Sequence, residues 1–319
     1  MREREEELRA RLLFRVAHAY YEEDRTQAQI AARFGLSRIK VSRMLTRARE
    51  EGVVRISVCA PASDHSGLER ELERIYRLDE AIVAEPRGPD YTDVLEAIGR
   101  AAADYLVRVL EDGNTVGLTW GNSILATAAS IESSVRPECR VVQLLGGLGD
   151  QESGIHGAEL VRRVADRLGC RARNIHAPGI VSAPQVRDAL VADPQVADTL
   201  ELGRRSDVAL LGVGALGPHS VLRNSESVLS EKDCRELQRR GVVGDIGLRF
   251  FDEEGRPVAT PYCDRIVGLD LDELQAIPRR VGIAGGHEKV KALRAALSAR
   301  YLNVLVTDAE TAAKLIEKE

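Results

Sequence analysis

From Glu80 to the end of the chain, short β-rich runs alternate with helical patterns, and this alternation leaves few architectures open. The runs fall at 80–84 (EAIVA), 114–118 (NTVGL), 140–145 (RVVQLL), 171–176 (RARNIH), 207–213 (DVALLGV), 280–284 (RVGIA) and 302–306 (LNVLV). Helical stretches at 92–110, 122–132, 155–168, 183–203, 287–298 and 309–317 separate most of them. Strand–helix alternation predicts an α/β domain with a mostly parallel sheet. Ligands of such sheets bind beyond the carboxyl ends of the strands, so the strand-to-helix corners are where chemistry is expected.

Four corners carry information. In GLTWGNSILATAAS, from Gly117, Thr119-Trp120-Gly121 makes the turn and Asn122-Ser123 opens a helix. Unsatisfied backbone N–H groups at a helix start form an anion site, and Thr119 and Ser123 add hydroxyl donors. A plain helix cap after a tight turn is the competing reading. In QLLGGLGD, Gln143 is placed to bond hydroxyls, and Gly146-Gly147 permit close backbone approach to a ligand. GVGALG, from Gly212, matches G-x-G-x-x-G, but Pro218-His219-Ser220 supplies no helix behind it, so a dinucleotide fingerprint is rejected. In AGGHEKVKALRAAL, Lys289 sits in the first turn of a helix, which is unfavourable unless an anion is near. A solvated surface lysine is the competing reading there. No nucleophile–base pair and no metal-ligand spacing emerges, and no cofactor is expected.

The segment before Glu80 differs. Leu8, Leu12, Val16 and Tyr20 recur every four residues, predicting an amphipathic helix. Thr26 with Gln29 fits a capping box, and Ile30, Ala31 and Phe34 form the apolar side of a second helix. Gly35 makes the turn, Ser37 caps a third helix, and Val41, Leu45 and Ala48 share one of its faces. Arg25 to Arg49 holds seven basic residues and no acid. A helix–turn–helix, apolar inside and basic outside, is the footprint of a DNA reader. A cap or dimerisation arm with a solvated basic face is the alternative. The candidate DNA contacts are Thr26, Ser37, Arg38, Lys40, Ser42, Arg43 and Arg47. VVRISV at 53–58 reads as a strand behind the third helix, which suggests a winged motif.

Charge follows the same division. Residues 1–58 carry 13 Lys/Arg and 9 Asp/Glu, and the remainder 32 and 41, so a basic module of +4 precedes an acidic body of −9. That places phosphate affinity at one end. The expected domains are 1–58, a linker 59–67 (CAPASDHSG from Cys59), and 68–319. LERELERIYRL then reads as a helix with Leu68, Leu72 and Ile75 in line, either packing on the second domain or held for a dimer contact. The five cysteines are odd in number and no two are closer than 29 residues, which excludes a disulfide framework and points to a reducing cytoplasm. Neither a signal peptide nor a membrane helix is expected.

With these corners in place, the chain resembles the SorC/DeoR-type sugar-binding transcriptional regulators. The resemblance rests on GLSRIKVSRMLTRAREEGVV, GLTWGNS, QLLGGLG, IHAPGIV, VALLGVGALG, GVVGDIGLRFFDEEG, VGIAGGHEKVKALRAAL and NVLVTDAETAAKLI, in order over most of 8–319. It implies a winged helix–turn–helix head and an α/β effector domain with the NagB/RpiA-like fold of sugar-phosphate isomerases and deaminases. It also implies a homotetramer or homodimer, operator DNA as partner, and a sugar or sugar-phosphate effector. By the same resemblance, Thr119, Gly121, Asn122 and Ser123 form the phosphate cradle, and Gln143, Gly146 and Gly147 line the sugar. Arg223, Asp245 and Lys289 then serve hydroxyls and phosphate. Leu145 stands where members that bind glycolytic intermediates carry Arg, which points away from a bisphosphate. A sugar-phosphate isomerase or deaminase is the alternative function, and the basic head distinguishes the two.

Overall fold

The computed structural model describes residues 2–54, 65–133, 136, 138–147, 157–217 and 229–317, with side chains from Ala10 onward. The chain divides into two units, 1–62 and 63–319. No described helix is long and apolar enough to cross a membrane.

In the first unit, α1 (Arg2–Tyr21), α2 (Gln27–Phe34) and α3 (Arg38–Glu50) enclose a core of Val16, Ala19, Ile30, Val41 and Leu45. Leu12 and Tyr20 pack against it, while the side chain of Leu8 lies outside the described residues. The local signals act as read. Thr26 Oγ1 accepts from the Gln29 N–H, and Gln29 Oε1 accepts from the Thr26 N–H. Gly35 turns the chain at φ +64°, and the Ser37 hydroxyl accepts from the Lys40 N–H. The basic face is less uniform than the acid-free stretch implies. Glu23, just upstream, takes Arg25 at 2.8 Å and Arg33 at 2.6 Å, and Glu51 takes Arg47. Arg38, Lys40 and Arg43 are exposed and make no ion pair among the described residues. From residue 55 the expected wing strand lies outside the described residues, as does most of the expected linker.

In the second unit, α4 (Ser66–Tyr76) begins inside the stretch read as linker. Leu72 is fully buried with Leu68 packed beside it, so α4 packs on its own sheet, while Ile75, in line with them, is 38% exposed. Two of its carboxylates also serve β1 (Glu80–Ala84): Glu73 accepts from the Ala81 N–H at 3.0 Å and Glu69 from the Val83 N–H at 2.9 Å. These bonds engage donors of an edge strand that a lone ladder would leave exposed. There follow α5 (Tyr91–Val109), β2 (Thr115–Leu118), α6 (Asn122–Ser130), β3 (Arg140–Gln143), α7 (Gly157–Leu168), β4 (Arg171–Arg173), α8 (Pro184–Ala192), α9 (Pro194–Arg204) and β5 (Val208–Gly214). The chain continues through α10 (Glu231–Arg239), β6 (Gly244–Ile246), β7 (Arg249–Phe251), α11 (Leu271–Gln275), β8 (Arg279–Ile283), α12 (Val290–Ser298), β9 (Val304–Asp308) and α13 (Ala309–Ile316).

The main sheet is parallel, in the order β1-β9-β8-β5-β2-β3-β4. Successive residues of β5 alternate between two cores: Val208 and Leu210 on one face, Ala209 and Leu211 on the other. That is the pattern of a sheet covered by helices on both sides. Two features depart from expectation. Pro194 splits the helical stretch 183–203, because proline cannot continue the ladder of the preceding helix. The antiparallel hairpin β6–β7, hung from the end of β5, was not legible, since each strand is three residues long.

Arg249 fastens that hairpin. Its half-buried guanidinium donates to the carbonyls of Leu269 at 3.1 Å, Cys263 at 3.2 Å and Gly268 at 3.0 Å. Arg249→Ala leaves three acceptors without their partner and is expected to lower stability by about 3 kcal/mol or more. Urea titration followed by circular dichroism measures it, and a loss below about 1 kcal/mol contradicts this role.

Candidate functional site

The order of the sheet reverses between β2 and β5: from β2 the chain moves outward through β3 and β4, then returns to place β5 on the other side of β2. Crevices outside the carboxyl ends at such a point bind ligands in open α/β sheets. Here the crevice is a cleft of about 600 Å³ including its open mouth. Trp120, Gly121, Asn122 and Ser123 line it from the start of α6, and Gly212, Val213 and Gly214 from the end of β5. Asp245, Gly247 and Leu248 enter from the hairpin, and Ile283, Ala284, Gly285 and Lys289 from beyond β8. Tyr91, Leu95 and Ile98 of α5 form an apolar wall.

Gly121 precedes α6 at φ +151°, and among the described residues no side chain caps the helix, so the start of its dipole is placed at the cleft to meet an anion. Lys289 closes a single 3₁₀ turn, His287–Lys289, ahead of α12, and its Nζ donates to the Val213 carbonyl at 2.9 Å. It is half-buried, which rules out the solvated surface lysine, and burial lowers its pKa against the attraction of Asp245. Asp245 is 7% exposed. Burial raises its pKa to about 6, opposed by the Leu248 N–H, which donates to it at 3.1 Å, and by Lys289. Asp245 lies over Gly214, where a Cβ would stand 1.8 Å from its Oδ1, so any side chain at 214 would displace the carboxylate. Burial, with the nearby Glu288 carboxylate, pushes the Tyr91 phenol up to about 12.

Of the residues read from sequence, the structure brings Gly121, Asn122, Ser123, Asp245 and Lys289 together in this cleft. Four others do not line it, and their roles are corrected. The Thr119 hydroxyl donates to the Leu210 carbonyl at 3.4 Å and accepts from the Gly212 N–H at 3.1 Å, so it clasps two strands. Gln143 is 1% exposed, with its amide donating to the Leu145 carbonyl and accepting from the Ile175 N–H, so it is buried against backbone rather than turned to the cleft. Gly146 and Gly147 are spent on backbone pairing with Val267 and Ala177, and a Cβ on Gly146 would meet the Pro178 carbonyl at 2.6 Å. Trp120 links that segment to the cleft by donating from Nε1 to the Gly146 carbonyl at 3.0 Å. Arg223 lies outside the described residues. Gly212 and Gly214 of GVGALG, rejected as a dinucleotide fingerprint, reach the cleft as the end of β5. Being at a strand end was the available signal. Among the described residues no cluster of His, Cys, Asp and Glu could hold a metal ion.

The raised pKa of Asp245 carries a pH signature. Its folded pKa lies above the ordinary carboxylate value of 3.8, so this group favours folding fully below about pH 4 and loses that contribution as pH rises through about 6. Two pKa units correspond to about 3 kcal/mol as an upper bound. Asp245→Asn should therefore flatten stability between about pH 4 and 6 relative to the parent, measured by denaturation at each pH. An unchanged difference between the two across that window removes Asp245 as the titrating group.

Comparison with known proteins agrees with the architecture. The putative sugar-binding domain family matches residues 60–317, and the sigma-70 region 4 family matches 15–51. The chain is 32% identical to the deoxyribonucleoside regulator of Bacillus subtilis over 305 residues, covering 96% of this chain and 97% of that one. It is 31% identical to the sorbitol operon regulator of Klebsiella pneumoniae over 309 residues, covering 96% and 98%. The full-length crystal structure of that sorbitol operon regulator, SorC, superposes with a TM-score of 0.75, covering 96% of this chain and 99% of the other. A helix–turn–helix head, a doubly covered parallel sheet with a polar cleft at its switch point, and these matches along nearly the whole length agree: the chain belongs to the SorC/DeoR-type sugar-binding transcriptional regulators, which are effector-responsive DNA-binding proteins.

Proposed function

We propose that the cleft between β2 and β5 is the effector site, that it takes a phosphorylated sugar or polyol, and that α3 is the operator-reading helix of a homodimer or homotetramer. The observation that carries the effector assignment is the uncapped start of α6 facing the same cleft as Lys289 and Asp245. A phosphate gains charge-assisted bonds from the helix N–H groups and the ammonium, while the Asp245 carboxylate suits a hydroxyl donor and repels a second anion. The departure at Leu145 agrees with one phosphate rather than two. We read the cleft as binding its ligand without bond chemistry, so that the ligand acts by its differential affinity for two arrangements of the protein. Turnover of sugar phosphates by the purified protein would reject that reading in favour of an isomerase or deaminase.

Lys289→Ala is expected to weaken a phosphorylated ligand at least tenfold while leaving its dephosphorylated analogue within about twofold, since charge-assisted bonds are roughly twice as strong as neutral ones. Sugar and polyol phosphates found by thermal shift supply the ligands, and calorimetry reads the affinities. Equal losses for both forms would take Lys289 out of the phosphate site.

At the head, three exposed basic side chains that make no ion pair among the described residues, Arg38, Lys40 and Arg43, stand near the start of α3, the part of a recognition helix that meets base edges. Arg38→Ala and Arg43→Ala should each weaken operator binding at least tenfold with the melting temperature unchanged, and binding should fall steeply with added salt. Gel-shift titration tests both, and retained affinity in both variants rejects the assignment.

A further inference from the structure

Ile39 is 69% exposed, the most exposed large hydrophobic side chain among the described residues. Nothing local accounts for it: β-branched residues are not favoured on a solvated helix, and a polar residue would serve solvent better. Its position is informative. At about 100° per residue, Ile39 stands about 180° around α3 from Ala48 and about 160° from Val41, both of them 0% exposed in the head core. It therefore occupies the middle of the outward face. Ser42, Arg43 and Thr46, all exposed, lie within about 60° of it on that face. Arg38 and Lys40, the neighbours in sequence, fall about 100° to either side. That layout matches a helix seated in the major groove, with flanking cations toward the two phosphate backbones and the central stripe toward base edges.

We infer that Ile39 is a specificity-determining residue that reads the C5-methyl group of a thymine in each operator half-site. The inference rests on α3 being the operator-reading helix. The thymine methyl is the apolar group that base edges present in the major groove, and apolar side chains are what recognise it. An isoleucine at the centre of the face has no hydrogen bond to offer, so its contribution is burial of that methyl. Arg43, one turn on and on the same stripe, is placed for a neighbouring guanine, and Ser42 for either kind of base.

The test uses the full chain. Selection from a pool of random duplexes defines the preferred operator. Each thymine of a half-site is then replaced by deoxyuracil, which lacks only the methyl, and affinities are measured for the parent protein and for Ile39→Ala. At one position per half-site, uracil should weaken the parent about fourfold, the value of one buried methyl at about 0.8 kcal/mol. Ile39→Ala should bind the thymine operator correspondingly more weakly and be indifferent to uracil at that position, so the two losses do not add. Equal sensitivity of both proteins at every thymine overturns the role of Ile39 while leaving α3 as the reader. A lower oligomeric mass for Ile39→Ala, with thymine discrimination intact, also overturns it and assigns the residue to contact between copies. A parent protein that selects no sequence overturns the reading of α3 itself, and this inference with it.

Discussion

The cleft depends on the pairing of β2 with β5, and Thr119 extends that pairing past its last ladder position. The register ends at Leu118 opposite Leu210. Beyond it the Thr119 N–H donates to the Leu210 carbonyl at 3.1 Å, and the Thr119 hydroxyl receives the Gly212 N–H. These buried bonds hold the two strand ends together where the sheet order reverses. The start of α6 and the glycines of β5 then face one another across a fixed gap. An unsatisfied polar group at this depth would be costly, so the hydroxyl that looks like a ligand donor is committed to the frame.

Charge within the frame is held in tension. Asp245 is buried at the cost of a raised pKa and is retained by one backbone N–H and the field of Lys289. Lys289 is in turn tied to the Val213 carbonyl. They attract without forming a direct ion pair among the described residues, so each has capacity left for a third group. The cleft thus presents one acidic and one basic feature within a largely apolar wall, suited to a small polyol carrying one anionic end.

The head works by a different economy. Its core is small, and the turn between α1 and α2 is secured by the Glu23 carboxylate rather than by burial. The ion pairs of Glu23 and Glu51 withdraw Arg25, Arg33 and Arg47 from a plain count of basic charge. What remains outward on α3 is a narrower set, with Ile39 at its centre.

Sequence alone determined the elements whose signals are local. Capping at Thr26 and Ser37, the turn at Gly35 and the β-rich runs from 80–84 to 302–306 all act within a few residues, and hydrogen-bond geometry at that range leaves little freedom. The same locality made Gly121, Asn122 and Ser123 legible as a helix start, and Lys289 as a charge out of place. Tertiary structure decided which strand ends meet. Thr119 and Gln143 looked like ligand donors because their long-range partners, Leu210, Gly212 and Ile175, are fixed only once β5 and the segment after β4 come alongside. Likewise the space beside Gly214 is filled only when the hairpin brings Asp245 against it, since a glycine's role depends on the atom that fills the space its missing side chain leaves.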